Sequence, residues 1–278
     1  VARTTSRRLR LDAELVRRGL ARSREQAAAL IAEGRVTVGG SVAHKPATGV
    51  ETAAAVVVAP EPDGTVDDWA SRGAHKLLGA LEAFGDVVVE GRRCLDAGAS
   101  TGGFTDVLLR RGAREVVAAD VGYGQLVWSL RTDDRVTVLD RTNVRALTPD
   151  AIGGPVDLVV ADLSFISLRL VLDALAACTA PGGELLPMVK PQFEVGKDRL
   201  GHGGVVRDPA LRAEAVDGVV AAARERALEL VDVTASPLPG PSGNVEYFLR
   251  LRRVDPTVPR DVDGDAERVR RAVQEGPT

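Results

Sequence analysis

From residue 93 to residue 253 the chain repeats one arrangement. A short apolar run rich in Val, Leu and Ala gives way to a turn, and most turns lead into a stretch with helical spacing. The runs are "RRCLDAG", "EVVAAD", "RVTVLD", "DLVVADLS", "ELLPMVK", "LVDVTAS" and "EYFLRLR", with helices expected over 103–111, 168–178 and 209–228. Apolar strands alternating with helices build a mostly parallel sheet covered on both faces. The last two strands, about 230–236 and 246–252, are separated by a short Pro/Gly/Ser loop. A parallel crossover needs about a dozen residues or more, so these two are expected to pair antiparallel. The polar tail after Val254 is expected to hold a short helix over 264–274.

The first sixty residues have a different grammar. Leu11, Leu15 and Leu20 fall near helical spacing, and Ser23 with Gln26 forms a capping-box pattern for a second helix. Gly34 stands where a C-terminal glycine belongs, and "RVTV", Gly39-Gly40 and "SVA" read as a hairpin. This stretch holds ten basic and five acidic residues, against twenty-six and thirty-four in the rest, within a net charge of −3. A small basic module ahead of a larger acidic one suits a polyanionic partner, although a solvated charged face has the same composition. Arg17, Arg18, Arg22 and Arg24 crowd the junction between the two helices, and guanidinium forks suit phosphate. "EPDGTVDDWA", residues 61–70, reads as a linker.

Several classes are disfavoured. Cys94 and Cys178 are far apart, and His44, His75 and His202 share no ligand spacing, so no metal is expected. No apolar run approaches the roughly 18 residues of a membrane span, and the expected location is cytoplasmic.

"CLDAGASTGGFTDVLLRRG" is a strand, a glycine-rich turn and a helix. Glycines let backbone approach a ligand, and a helix start offers unpaired N–H groups. The spacing Gly98-x-x-x-Gly102-Gly103 departs from the dinucleotide fingerprint, which counts against a nicotinamide oxidoreductase. Asp96 ends the first strand, where its carboxylate suits an ammonium. Asp120 ends the second, where an acid typically holds ribose hydroxyls. A ligand with a ribose and a zwitterionic end is implied, and S-adenosylmethionine has both. Asn143, after the third strand, is placed to face its adenine end.

The chain has only four lysines against thirty-two arginines, and Lys190 closes the apolar run "LLPMVK". An ammonium there needs a partner or a purpose. Ligands of open α/β sheets bind at the carboxyl ends of the parallel strands. Asp162 and Lys190 end two such strands, Glu246 opens an antiparallel last one at the same edge, and Lys76 lies on the helix before the sheet. Lys76, Asp162, Lys190 and Glu246 then form a charge-balanced quartet. A lysine that is to act as a base must first shed its proton. Burial and a second lysine favour the neutral amine, two carboxylates favour the ammonium, and the sequence leaves base and cation both open.

The first segment, with its pattern RLD…L…SR…A…I…G.V.V.G over about residues 6–60, resembles the S4 RNA-binding domain. The order Lys, Asp, Lys, Glu around the sheet resembles the FtsJ-like ribose 2′-O-methyltransferases. The two together resemble the TlyA family of hemolysin-like rRNA methyltransferases, through "SRGAHKL", "DAGASTGGFTD", "ADVGYGQL", "DRTNVR", "DLVVADLSFISL", "VKPQFEVG", "GGVVRDP" and "ASPLPGPSGNVEYF". The resemblance implies an α/β fold: a Rossmann-like S-adenosylmethionine methyltransferase sheet, mostly parallel with an antiparallel last strand, behind a small N-terminal α+β S4-like domain. It divides the chain into 1–60, a linker 61–70 and a methyltransferase domain 71–278. It implies methylation of a cytidine ribose 2′-OH in ribosomal RNA, in 23S and by extension 16S, with ribosomal subunits as partners. The catalytic set carried over is Lys76, Asp162, Lys190 and Glu246. The cofactor set is Asp96, Gly98, Ser100, Gly102, Gly103, Asp120 and Asn143.

Two further stretches stand out. "VGKDRLGHGGVVRDP", residues 195–209, reads as a loop that could close over RNA. Phe165 and Phe193 follow the strand ends closely, and of stacking on an extruded base or packing in the core, core packing is the expectation. Rival functions are a non-catalytic RNA-binding assembly factor and a membrane-active hemolysin.

Overall fold

The computed structural model describes residues 8–21, 23–51, 54–59, 69–257 and 264–277. The chain divides into two compact units, Val1–Arg72 and Gly73–Thr278. Residues 61–68 of the expected linker lie outside the described residues.

In the small unit, β1 (Arg8–Arg10) runs into α1 (Leu11–Arg17), and α2 (Arg24–Ala32) follows. Ser23 caps α2 by accepting the Gln26 N–H at 3.1 Å, as the capping-box pattern predicts. Then come β2 (Val36–Val38), β3 (Ser41–Val42), β4 (Gly49–Glu51) and β5 (Val56–Val58). Strand β2 pairs with β3 as the expected hairpin and with β5 on its other side, while β1 pairs with β4. Leu11, Leu15, Ala27, Leu30, Ile31, Val36 and Val50 form the core. Leu20 is not among them: α1 stops at Arg17, Gly19 takes φ +69°, and Leu20 is left exposed.

The large unit opens with α3 (Gly73–Phe84), whose Ala74, Leu77, Leu81 and Phe84 are buried. It continues β6 (Arg93–Ala97), α4 (Gly103–Arg110), β7 (Glu115–Ala119), α5 (Trp128–Arg131), β8 (Val136–Leu139) and β9 (Val156–Ala161). Next are α6 (Leu172–Cys178), β10 (Thr179–Val189), α7 (Pro191–Glu194) and α8 (Pro209–Arg224). It ends with β11 (Leu228–Ala235), β12 (Tyr247–Arg253) and α9 (Asp265–Glu275). The seven strands lie in the order β11-β12-β10-β9-β6-β7-β8. From β10 through β8 every pairing is parallel, and β12 is antiparallel to both of its neighbours. The sheet is the one the strand–helix alternation predicts, antiparallel last strand included.

Alternation along β12 shows how the faces divide. Tyr247, Leu249 and Leu251 join a core with Leu95, Val117, Val159 and Leu185 of the sheet, Leu172 and Leu175 of α6, Val216 and Val220 of α8, and Val269 of α9. Phe248 meets Phe104 of α4 on the other side, ring centroids 6.0 Å apart. Two expected helices are shorter than their periodicity. The stretch 168–178 begins as a 3₁₀ turn over Leu168–Leu170, because the Ser167 hydroxyl accepts the Arg169 N–H and caps a tight turn, and the α-helix starts at Leu172. The stretch 209–228 is helical from Pro209 to Arg224, and Ala227 then takes φ +55° before β11.

Glu184 of β10 and Arg250 of β12 are both buried. Glu184 accepts from Arg250 Nε at 2.8 Å and from Arg92 Nη1 at 2.8 Å, and Arg250 also reaches Asp86. Hydrogen bonds from Arg92 and Arg250 hold the Glu184 carboxyl below the usual range against the opposing effect of burial. Removing one member of such a group leaves a buried charge without its partner. Glu184→Ala is expected to cost about 3 kcal/mol or more, read as a lower unfolding midpoint in urea. A midpoint within experimental error of wild type would show that water replaces the carboxylate.

Candidate active site at the carboxyl ends of the parallel strands

The loop after β6 is shaped by its crowding. Gly98 has φ +90°, and a Cβ there would lie 2.7 Å from the Asp162 carbonyl oxygen. Gly102 has φ +105°, and a Cβ would press into Leu126 and Leu130. Only glycine serves both positions. Between them Ser100 takes φ +48°, a left-handed conformation for a residue with a side chain. The strain accompanies a hydrogen bond, since the Ser100 N–H donates to Asp120 Oδ2 at 2.9 Å.

Asp96 is fully buried. Its Oδ2 accepts from the Thr105 hydroxyl at 2.7 Å, while Oδ1 is buried with no hydrogen-bond partner. Burial pushes its carboxyl up to about 7, with Asp162 and Asp120 adding to the rise and Thr105 opposing it. An orphaned carboxylate oxygen beside a glycine loop is a cradle for a cationic donor that no described residue supplies, and the ammonium of an amino-acid group fits it. Asp120 uses Oδ1 to accept the Gly122 N–H at 2.6 Å and Oδ2 for Ser100, so it ties two loops together. Each of its oxygens keeps a lone pair for a hydroxyl. Gly103 is the first residue of α4. Asn143 is exposed, and its Oδ1 accepts the Arg145 N–H at 3.0 Å, capping the 3₁₀ turn Val144–Ala146.

The four charged residues form two pairs. Lys190 Nζ lies 2.6 Å from Asp162 Oδ1, and Lys76 Nζ donates to Glu246 Oε2 at 2.6 Å. Lys190 is 7% exposed and Glu246 1%, so both pairs are largely out of water. Strand register explains the convergence. Val189 lies opposite Tyr247, and one further step of the same ladder sets Lys190 opposite Glu246. Asp162 follows β9 directly, where its N–H donates to Ala97 O at 3.2 Å. Glu246 Oε1 is buried without a hydrogen-bond partner, an acceptor left over at this edge.

The arginines of the small unit have partners within it. Arg17 donates to both oxygens of Glu14, Arg18 donates to Glu14 and to the Ala54 carbonyl, and Arg24 donates to Asp12. Hydrogen bonds from Arg17 and then Arg18 hold the Glu14 carboxyl low, and Arg10 and Arg24 do the same for Asp12, in both cases against burial. The outer edges of these arginines remain accessible, with the Arg17 side chain 54% and the Arg24 side chain 59% exposed. Arg22 lies outside the described residues.

The expectation of core packing fails at Phe165. It is 91% exposed, has φ +63°, and meets Phe193 with ring centroids 5.4 Å apart. Two residues that sequence reasoning passed over belong to the neighbourhood. Ser164 Oγ accepts from Lys190 Nζ at 2.9 Å, and the buried Glu194 accepts from the loop that follows β9. Only proximity to "VKP" and "DLS" hinted at them, because each meets its partner across about 25 residues or more of chain. The loop 195–209 packs part of itself, with Val195, Leu200 and Val206 against Leu211 and Ala215 of α8 and an Arg199–Glu214 ion pair. Among the described residues no group of three or more His, Cys, Asp or Glu side chains is placed to hold a metal ion.

The raised Asp96 carboxyl has a consequence for stability. Between about 3.8, its ordinary value, and about 7, the folded protein holds a proton that the unfolded chain has lost. Stability from this group is therefore complete at low pH and falls as pH rises through that window. Asp96→Asn removes the dependence. Its melting temperature relative to wild type is expected to climb from pH 4 toward neutrality and then level off. Thermal unfolding curves that run parallel across pH would contradict the burial argument.

Comparison with known proteins agrees with this fold. Residues 69–253 match the model of the FtsJ-like methyltransferases, and residues 9–56 match the S4 domain. The 16S/23S rRNA (cytidine-2′-O)-methyltransferase TlyA of Mycobacterium tuberculosis is 62% identical over 98% of this chain and 100% of its own length. Hemolysin A of Brachyspira hyodysenteriae is 33% identical over 87% of this chain and 99% of its own. The solved structure of a hemolysin-named protein from Streptococcus thermophilus superposes with a TM-score of 0.74, at 36% identity, over 98% of both chains. With a seven-stranded sheet of the expected topology, a glycine loop beside an orphaned acid and an S4 domain in front, the chain belongs to the FtsJ-like methyltransferase family, within its S4-bearing TlyA group.

Proposed function

We propose that this chain methylates the 2′-OH of a cytidine ribose in ribosomal RNA, in 23S rRNA and also in 16S rRNA. The names of its relatives support the substrate. The observation that carries the chemistry is the doubled ion pair at the strand ends, Lys190 with Asp162 and Lys76 with Glu246.

S-adenosylmethionine, when bound, supplies a methyl group already activated by a sulfonium. Asp96, Gly98, Ser100, Gly102, Gly103, Asp120 and Asn143 would hold it. Asp96 Oδ1 suits the ammonium, Asp120 suits ribose hydroxyls, and Asn143 keeps its amide N–H groups for a ring nitrogen because only its oxygen caps the turn. The harder task is the ribose hydroxyl, which is hardly ionised near neutrality. Lys190, once the ammonium of the resting ion pair has given its proton to solvent, accepts the hydroxyl proton as the methyl group passes from sulfur to oxygen. A positioned base of this kind is worth about 10²–10⁴-fold. Asp162 and Ser164 fix where Nζ points, and Lys76 and Glu246 balance the charge beside it. Correct alignment of the hydroxyl supplies about 7 kcal/mol or more. The 2.6 Å contact with Asp162 favours one second reading, in which Lys190 stays an ammonium and steadies the developing alkoxide.

Residues 1–60 act as the RNA-docking module, 61–70 as the connection and 71–278 as the transferase. Arg17 and Arg24 offer exposed guanidinium edges to phosphate, Arg18 and Arg22 of the same stretch of sequence complete the set, and the partner is a ribosomal subunit. A substrate in ribosomal RNA supports a cytoplasmic location. No described helix is long and apolar enough to cross a membrane.

Tritiated-methyl transfer to separated ribosomal subunits from cells lacking this protein tests the substrate. Label is expected on a cytidine ribose. Label on a base, or on neither subunit, would refute the proposal. The role of Lys190 is read from single-turnover rates at saturating cofactor. Lys190→Ala is expected to lose about 10²-fold or more, and Lys190→Arg as much if the base role holds. An Arg variant at near-normal rate would move Lys190 to the cation reading.

A further inference from the structure

One buried carboxylate ties together the two segments that carry Lys190 and Asp162. Glu194 closes α7, four residues beyond Lys190, and its side chain is 1% exposed. Its oxygens take donors from three consecutive residues of the loop after β9. Oε2 accepts from Ser167 Oγ at 2.6 Å, Oε1 from the Leu168 N–H at 2.7 Å, and Oε2 also from Arg169 Nε at 3.2 Å. Arg169 Nη2 donates in addition to the Glu194 main-chain oxygen at 2.8 Å. The near end of the same loop is held by Lys190, through Asp162 at 2.6 Å and Ser164 at 2.9 Å. The loop is thus attached to the β10–α7 segment at both ends. Phe165 lies between the attachments in a left-handed conformation with its ring exposed, a backbone that persists where its surroundings over-determine it.

Burying a carboxylate is costly, and apolar packing closes an ordinary loop at less cost. What a multiply bonded carboxylate adds is geometry, since three directed hydrogen bonds admit one arrangement of the donors. We propose that Glu194 is a positioning residue for methyl transfer: through Ser167, Leu168 and Arg169 it sets the loop that begins at Asp162, and so the placement of Asp162 against Lys190. It touches no reacting atom itself. The inference rests on the reading of Lys190 and Asp162 as catalytic residues.

The test uses the full-length protein with Glu194→Gln, the milder Ser167→Ala, Asp162→Asn, the two doubles made with Asp162→Asn, and Lys190→Ala as control. Single-turnover methylation of ribosomal RNA is measured at saturating cofactor, and S-adenosylmethionine affinity is measured separately by titration. Glu194→Gln is expected to slow the step about 10- to 100-fold, the scale of a small misplacement. Ser167→Ala is expected to slow it less. Cofactor affinity is expected to stay within about threefold of wild type, because the glycine loop is untouched. In the Asp162→Asn background both penalties are expected to vanish, since nothing is then left to position. A residue that only stabilises the fold would weaken cofactor binding together with rate and would add its full penalty to Asp162→Asn. Either result, or a wild-type rate in the folded variants, overturns the proposal. Wild-type activity in Lys190→Ala would instead overturn the catalytic reading beneath it.

Discussion

A lysine ammonium and a carboxylate taken out of water must compensate each other, and at one edge of this sheet they do so twice. Burial of either partner alone costs several kcal/mol, whereas a close pair recovers most of that. Lys190–Asp162 and Lys76–Glu246 are such pairs, and they constrain the elements that deliver them. Asp162 must follow β9, Lys190 must follow β10, and Glu246 must precede an antiparallel β12. Helix α3 must lie where Lys76 reaches over. The antiparallel last strand is thus more than a topological variant. A parallel strand in that position would bring its carboxyl end to this edge and its first residue, next to Glu246, to the opposite one.

The same economy of buried acids runs through the molecule with arginine as the partner. Glu14 organises Arg17 and Arg18, Asp12 organises Arg10 and Arg24, Glu184 organises Arg92 and Arg250, and Glu194 organises the loop that ends in Arg169. A guanidinium fork meets a carboxylate through two directed hydrogen bonds and keeps its charge in any surroundings. Arginine therefore builds this protein, and thirty-two of its thirty-six basic side chains are arginines. Lysine is scarce, and two of the four lie at the sheet edge, where a single mobile charge that can shed a proton has a use.

Asp96 stands apart because its compensation is missing. Its Oδ1 has no hydrogen-bond partner among the described residues, and burial raises its carboxyl to about 7. The buried acids Asp12, Glu14, Glu184 and Glu194 are each met by guanidinium donors, so an unmatched oxygen beside a glycine loop supports a ligand there. Glu246 Oε1, also buried without a partner, lies at the same edge of the sheet.

By itself the sequence determined the parallel sheet and its antiparallel end, because strand and helix periodicity are local and the short loop before β12 admits no crossover. It determined the glycine loop with Asp96 and Asp120 at the ends of their strands, because spacing along one strand–turn–helix unit is local too. It gave no view of which guanidinium meets which carboxylate. Arg17 and Arg18 read as a basic cluster suited to phosphate, and nothing in their spacing showed that both also bind Glu14. Phe165 read as core until a left-handed backbone at the end of β9 swung its ring outward. Lys190 and Asp162 are 28 positions apart, and Lys76 and Glu246 are 170 apart. Such meetings depend on strand register and on the packing of helices over the sheet. These are set by the summed burial of the whole core, so only the tertiary structure decided them.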